Sequence, residues 1–361
     1  MLHRRAAEQK IPLSGTFELS PVCNFSCRMC YVRKTPAQIS REGKALLTVS
    51  DWLSMAEQCK QAGTLSLLLT GGEPFLYPGF RELYTALHQM GFLLSVNTNG
   101  TLIDEETLLW LKQYAPARVN LTLYGASRET YEKICGDPAG YDRAMAALTL
   151  LRDAGIPTVI NASMIPENAH EPEKILSIGR ELGLNVRMGT YMFPPARRER
   201  EEGDSRFTPE QGAEIFLRKA KALRAPEDYR NWLFHCTAPQ ITESEADWGH
   251  APEQMRCRAG RSSFWINWEG EMTACGLMDF PLKTAPFAGG FLPCWLKLTD
   301  AVRSATVLEG CAGCPNRELC SPCAAMLHAE TGSANIAAPY LCETTRHILS
   351  RMESERKEMA P

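Results

Sequence analysis

The sequence predicts an α/β protein built on a parallel sheet, followed by a separate cysteine-rich unit. Three observations lead there. From residue 48 to about 190, extended apolar runs alternate with stretches of helical periodicity, the signature of repeated βα units with right-handed crossovers. A cysteine loop and a Gly71-Gly72 turn each follow an extended run, and parallel sheets keep their ligand sites at the carboxyl ends of strands. Fourteen cysteines are distributed unevenly, with three between residues 23 and 30 and nine from Cys236 to Cys342.

The elements follow in order. Thr16–Pro21 reads as a first strand. Ser50 is placed to cap a helix through Gly63, with Leu53, Ala56 and Ala62 on its apolar face. Thr64–Thr70 is a buried strand, Phe80–Met90 a helix and Phe92–Asn97 a strand. A helix over 104–114 precedes strand Arg118–Thr122, and helical periodicity returns at 128–134 and 142–153, stopped by Gly155. Strand Thr158–Ser163, a helix over 172–182 and strand Leu184–Met188 complete about six βα units. A doubly wound open sheet and a barrel-like sheet both fit this pattern. Proline and dense mixed charge over 194–210 mark a boundary, where Arg197 and Arg198 read as a solvated charge run rather than contacts to an acidic substrate group. A helix from Thr208 to about Leu223 leads into the cysteine-rich half, and one from Tyr340 to about Lys357 closes the chain. The divisions are 1–15 as an extension, 16–195, a bridge over 196–235, 236–345 and a tail over 346–361.

A net charge of −3 gives no basic field for nucleic acid. No run of 18 apolar residues suits a membrane span, and Met1–Arg5 lacks the apolar core of a secretory signal. A cytoplasmic, reducing location is expected, where clustered cysteines are metal ligands rather than disulfides. Cys59 and Cys135 stand apart and read as buried core thiols.

Cys23, Cys27 and Cys30 are spaced C-x3-C-x2-C, close enough to converge on one soft metal centre, either an iron–sulfur cluster or zinc. A structural zinc site takes four ligands, whereas three thiolates hold three irons of a 4Fe–4S cluster and leave the fourth open. This triplet, with aromatic Tyr31 beside its last cysteine, resembles the radical S-adenosylmethionine (SAM) superfamily. The resemblance favours a partial (β/α)6 barrel. It implies that the open iron chelates SAM, whose reductive cleavage gives a 5′-deoxyadenosyl radical that abstracts hydrogen from the substrate. Gly71-Gly72-Glu73-Pro74 resembles the family's segment for the SAM amino group, with glycines for close backbone approach and Glu73 as an anionic partner. Asn97, Asn99, Thr122 and Asn161 resemble contacts to the SAM ribose and carboxylate, and Tyr31 the residue beside adenine; each of them also suits a loop, cap or packing role.

In the second half, Ser263–Trp268 and Glu271–Thr273 alternate around Glu269-Gly270, a hairpin signal. Cys257 is followed by Gly270-x4-Cys275, then by Cys311-x2-Cys314, Cys320-x2-Cys323 and Cys342. Paired C-x2-C knuckles speak for metal, with zinc the default. The set resembles the SPASM extension that appends auxiliary 4Fe–4S clusters to radical SAM barrels, departing from it by one residue between Cys320 and Cys323. The resemblance implies one cluster on Cys311, Cys314, Cys320 and Cys342, and a second on Cys257, Cys275 and Cys323. Relatives completing the second use a cysteine at the position of Ala251. Here its iron is open, or Cys236 or Cys294 reaches in; unligated thiols are the favoured reading of those two.

The functional expectation is a radical SAM enzyme with three clusters modifying a peptide or protein side chain, as a ribosomal-peptide maturase that cross-links or oxidises a residue. Its expected reductant is a flavodoxin or ferredoxin; because only some fifteen residues precede the first strand and leave no room for a recognition domain, the peptide is expected to need a separate peptide-recognition protein or recognition by the barrel and SPASM surfaces themselves. Nucleic acid and membrane are not expected as partners. Sulfatase-maturing relatives place a basic aspartate directly after the cysteine matching Cys275. Gly276 stands there, with Asp279 three residues on as the candidate proton acceptor, so that activity ranks lower. A radical SAM enzyme acting on a small molecule also fits these residues. A non-catalytic zinc-binding interaction protein would account for the paired knuckles but leaves the Cys23–Cys30 triplet and the Gly71–Pro74 turn without a role.

Overall fold

The computed structural model describes residues 2–194, 205–235, 255 and 257–359; Arg197, Arg198, Cys236 and Ala251 lie outside them. Six parallel strands, β1 (Ser14–Glu18), β2 (Ser66–Thr70), β3 (Leu93–Thr98), β4 (Arg118–Thr122), β5 (Thr158–Ser163) and β6 (Asn185–Gly189), pair strictly in sequence. A doubly wound sheet reverses its strand order at a switch point. No reversal occurs here, so right-handed crossovers put the helices on one face and the sheet curls as a partial (β/α)6 barrel.

Strand periodicity then separates two faces. Leu67, Leu69, Leu94, Val96, Val119, Leu121, Ile160 and Ala162 are almost wholly buried beneath the helices. The alternate positions, among them Ser95, Asn97, Asn120 and Asn161, line the opposite face, the lumen. Trp52 anchors the helical layer with its ring 4.7 Å from Phe17 of β1, and burying such a side chain contributes about 2–3 kcal/mol.

The helix leading into β2 runs Val49–Gln61 and is capped by Thr48, not Ser50. Thr48 takes the amide of Asp51, and the Asp51 carboxylate returns to the Thr48 amide. Ser50 has no such reciprocal partner three residues on, which decides the start. Helices Leu2–Glu8, Pro36–Arg41, Pro226–His235 and Phe291–Ser304 were not legible from periodicity. The last begins at Gly290 without a side-chain cap. No helix among the described residues is long and apolar enough to cross a membrane.

The hairpin forms as β7 (Ser263–Ile266) and β8 (Met272–Thr273). The Asn267 side chain organises its turn by accepting from the amides of Glu269 and Glu271. Beyond expectation, β7 pairs in parallel with β1, Ser14 opposite Ser263, and so continues the barrel sheet. Gly15 permits this approach, since a Cβ there would lie 2.2 Å from the Phe264 ring. The closing helix, Pro339–Glu358, packs along Pro209–Ala222 over a small core of Ala213, Leu217, Ile348 and Met352.

Candidate active site

The loop after β1 carries Cys23, Cys27 and Cys30, and the turn after β2 lies directly against it. The Gly72 amide donates to Ser20 O at 2.7 Å and the Glu73 amide to Val22 O at 2.9 Å. A Cβ on Gly72 would sit 2.3 Å from Val22 O, so glycine is the residue that fits. Pro74 opens a short 3-10 turn that Glu73 caps.

Glu73, the expected anionic partner, has its side chain on the inner side of this turn. Its carboxylate is wholly buried and turned inward. It accepts from Asn99 N and Thr98 Oγ1 at 2.8 Å each and from Phe75 N at 3.2 Å. Burial pushes its pKa up to about 7 against those donors. It brackets the ends of β2 and β3.

The bracket orients Asn99, whose Nδ2 donates to Asn24 Oδ1 at 2.9 Å and approaches Cys23 Sγ at 3.8 Å. Asn99 Oδ1 accepts from both the amide and the hydroxyl of Thr101. Asn97 instead accepts from Asn120 Nδ2 at 2.8 Å, inside the lumen. Thr122 and Asn161 are half-buried and stand opposite each other in register. Tyr31 and Cys30 pack on a small apolar cluster of Val32, Ile39 and Trp268.

Burial pushes the Cys23 thiol up to about 12, with Glu73, Cys27 and Cys30 adding to the rise. Cys27 moves the other way because the Cys135 thiol hydrogen-bonds to it, and Tyr124 adds a second such bond. Cys135 is buried, as expected of a core thiol, but it sits against the cysteine loop. Its carbonyl also takes the Ser26 amide at 3.0 Å. Their separation in sequence left no spacing signal. Cys59 is a plain core residue.

The second half brings its thiols together in two groups. Cys311, Cys314, Cys320 and Cys342 are neighbours: burial, then Cys342, Cys311 and Cys314, raise the Cys320 thiol. Cys257, Cys275 and Cys323 line one cavity of about 230 Å³, and burial, with those two partners adding, pushes Cys323 up to about 11. Cys294 lies elsewhere, its Sγ packed near Gly289. None of the described cysteines is in a disulfide. Among the described residues, no three His, Cys, Asp or Glu side chains converge tightly enough to grip a single ion; the thiols stand as three open groups.

A larger cavity of about 550 Å³ connects the two halves. Val32 and Lys34 enter it from the cysteine loop, and Cys275, Asp279, His328 and Trp265 from the second half. Trp265, unremarked in the sequence, donates from Nε1 to Oε2 of the buried Glu18 at 3.1 Å. Its ring presses on Gly276, where a Cβ would lie 2.6 Å away. An aspartate at 276 therefore does not fit beside this tryptophan, while Asp279 is exposed to the same cavity.

Residues 17–178 match the Radical SAM superfamily. Over 337 residues, 90% of this chain and 94% of the relative, the chain is 24% identical to the AdoMet-dependent heme synthase of Methanosarcina barkeri. It is 25% identical to the sporulation killing factor maturation protein SkfB of Bacillus subtilis over 75% of this chain and 62% of that one. Among solved structures, that of anSMEcpe with bound AdoMet and a Cp18Cys peptide superposes with a TM-score of 0.70 at 18% identity, covering 97% of this chain and all of the other. It shares the fold.

Proposed function

We propose, on the match of residues 17–178 to the Radical SAM superfamily, that this protein is a radical SAM enzyme that modifies a peptide or protein side chain and carries two auxiliary clusters. The observation carrying this reading is the joined site. The three-cysteine loop and the Gly71–Pro74 turn are stitched by backbone hydrogen bonds, and Glu73 and Asn99 connect that turn to Cys23. Kinship with SkfB, a maturation protein, and the fold shared with a peptide-bound structure support a peptide substrate.

The donor sets suit the groups the family implies. Cys23, Cys27 and Cys30 would hold the SAM-binding 4Fe–4S cluster. Cys311, Cys314, Cys320 and Cys342 would hold one auxiliary cluster, and Cys257, Cys275 and Cys323 the other. When bound, the cluster and SAM supply one-electron reduction and a carbon radical that removes hydrogen from the substrate. The chain does the rest. Gly71, Gly72 and Pro74 shape the wall where the SAM amino group rests, and Asn97, Asn99, Thr122, Asn161 and Tyr31 offer polar and aromatic contacts. Asn99 and Cys135 hydrogen-bond the sulfurs of Cys23 and Cys27, which tunes a cluster. The 550 Å³ cavity holds the substrate away from bulk water, with Asp279 as the proton acceptor. The reductant is a flavodoxin or ferredoxin, with a separate peptide-recognition protein as a further partner.

Anaerobically reconstituted protein should be brown, carry about twelve irons and little zinc, and release 5′-deoxyadenosine from SAM and dithionite. Cys30→Ala should lower the iron by about four and abolish SAM cleavage, while Cys314→Ala should keep the first cluster. Offered candidate precursor peptides, the wild type should change a peptide mass. Colourless, zinc-loaded protein would instead establish a zinc-binding module without catalysis. Asp279→Asn with turnover intact would remove the proton-acceptor role.

A further inference from the structure

Among the described residues, the lumen face of the sheet carries two arginines outside any ion pair. Arg118 opens β4 and Arg187 lies within β6. Arg118, Asn120 and Thr122 share one face of β4 by alternation. Thr122 pairs with Asn161, and Asn161 with Arg187, so both guanidiniums project from the lumen face. They are near enough that Arg187 adds to burial in holding Arg118 below the usual arginine range. Among the described residues neither takes part in an ion pair, although most barrel arginines outside the lumen do.

Two further atoms are orphaned here. Arg118 Nε and Asn120 Oδ1 are both buried with no hydrogen-bond partner. Asn120 is only 4% exposed, and its Nδ2 is committed to Asn97. An unpaired buried donor or acceptor is costly, and two like charges unneutralised in a shared lumen repel each other. A fold keeps such a set when a ligand completes it. Access is open, because β6 is the edge of the sheet and Arg187 is exposed.

We propose that Arg118 and Arg187 form a carboxylate-binding site inside the barrel, with the Asn120 amide oxygen taking an N–H or O–H of the same ligand. The chemistry is specific: guanidinium forks match carboxylate oxygens bidentately. Arg187 stands level with Thr122 and Asn161 whereas Arg118 opens β4, so the captured acid lies in the lumen between the foot of β4 and the level of Thr122. This rests on the radical SAM reading and narrows it: the substrate carries an acidic group that fixes how its reacting carbon is presented. The acid is either a side chain of a peptide or part of a small polycarboxylic acid.

Binding to the reconstituted holoenzyme separates these. One arm uses a fluorescein-labelled glutamate-containing hexapeptide and its glutamine counterpart, read by anisotropy. The other uses tricarballylate and its trimethyl ester as competitors of the labelled peptide, and as ligands by calorimetry. At least one acid should bind about tenfold or more tighter than its neutral form. Arg187→Met, at an exposed position, and Arg118→Met/Arg187→Met should each erase that preference, and Arg118→Lys/Arg187→Lys should restore part of it. The arm that responds identifies the source of the carboxylate. Equal binding of acid and neutral forms by the wild type would overturn the proposal, as would a preference that survives in Arg187→Met or a loss confined to SAM affinity. Colour and uncoupled SAM cleavage of the wild type report separately on the radical SAM reading, so the two can fail independently.

Discussion

Glu73→Gln tests how the turn after β2 holds the site. The Glu73 carboxyl is wholly buried and raised from 4.5 to about 7. That difference makes its ionised form about 3 kcal/mol less favourable in the folded protein than in the unfolded chain. Below pH 4.5 both states hold the proton and the full stability is present. As pH rises toward 7 the unfolded chain loses its proton first, so stability falls, and above pH 7 the loss is complete. Glutamine has no proton to lose. It keeps one acceptor, however, and so leaves either the Asn99 or the Phe75 amide unanswered, a cost of about 1 kcal/mol or more at acid pH. The variant should therefore be less stable than the wild type at pH 5, and the difference should shift by about 2.5 kcal/mol in its favour by pH 8. Urea denaturation of both apo proteins, anaerobic and reduced, at pH 5, 6.5 and 8 measures it, and other titrating groups cancel in the difference. A gap that stays constant, or that widens against the variant as pH rises, would refute the buried-bracket account.

Gly72→Ala drives a Cβ into Val22 O, a backbone atom, and should cost about 2–3 kcal/mol and lower the iron held by the first loop, read by thermal melting and iron assay. Gly276→Ala should displace the Trp265 ring and shift its fluorescence, and in a double-mutant cycle with Trp265→Ala the two losses of stability should be less than additive. Glu330 is largely shielded against Arg206 and accepts from Tyr191 at 2.6 Å. Glu330→Gln should destabilise by about 1–2 kcal/mol, seen as a lowered melting temperature, because the half-buried Arg206 then loses its counter-charge.

The barrel was legible because its strands are short apolar runs punctuated by helical periodicity, and β4 and β5 fall on the residues the pattern gave. The cysteine groups were legible because ligand spacing is local in the chain. What escaped has a common physical origin in contacts between distant segments. Glu73 reads as an exposed anion until β3 arrives to bury it under Thr98 and Asn99. Cys135 belongs to a helix end that meets the cysteine loop only after three further strands. Trp265 looks like one more alternating strand residue, and nothing near it in the chain announces Glu18. Lone arginines such as Arg118 and Arg187 are ordinary in sequence, and only strand register faces them to one another.

The pairing of β7 with β1 makes the two halves a single mechanical unit. The strand that leads into the Cys23–Cys30 loop and the strand that leads toward Cys275 are adjacent rungs of one ladder, so a tether between them is not what sets their spacing. Truncating the chain before β7 would strip β1 of its neighbour and leave a bare strand edge, with the Phe264 seat at Gly15 empty, ready to stick to another copy. A barrel expressed alone is thus a poor surrogate for this protein. Lengthening the bridge between the halves should be tolerated far better than cutting it.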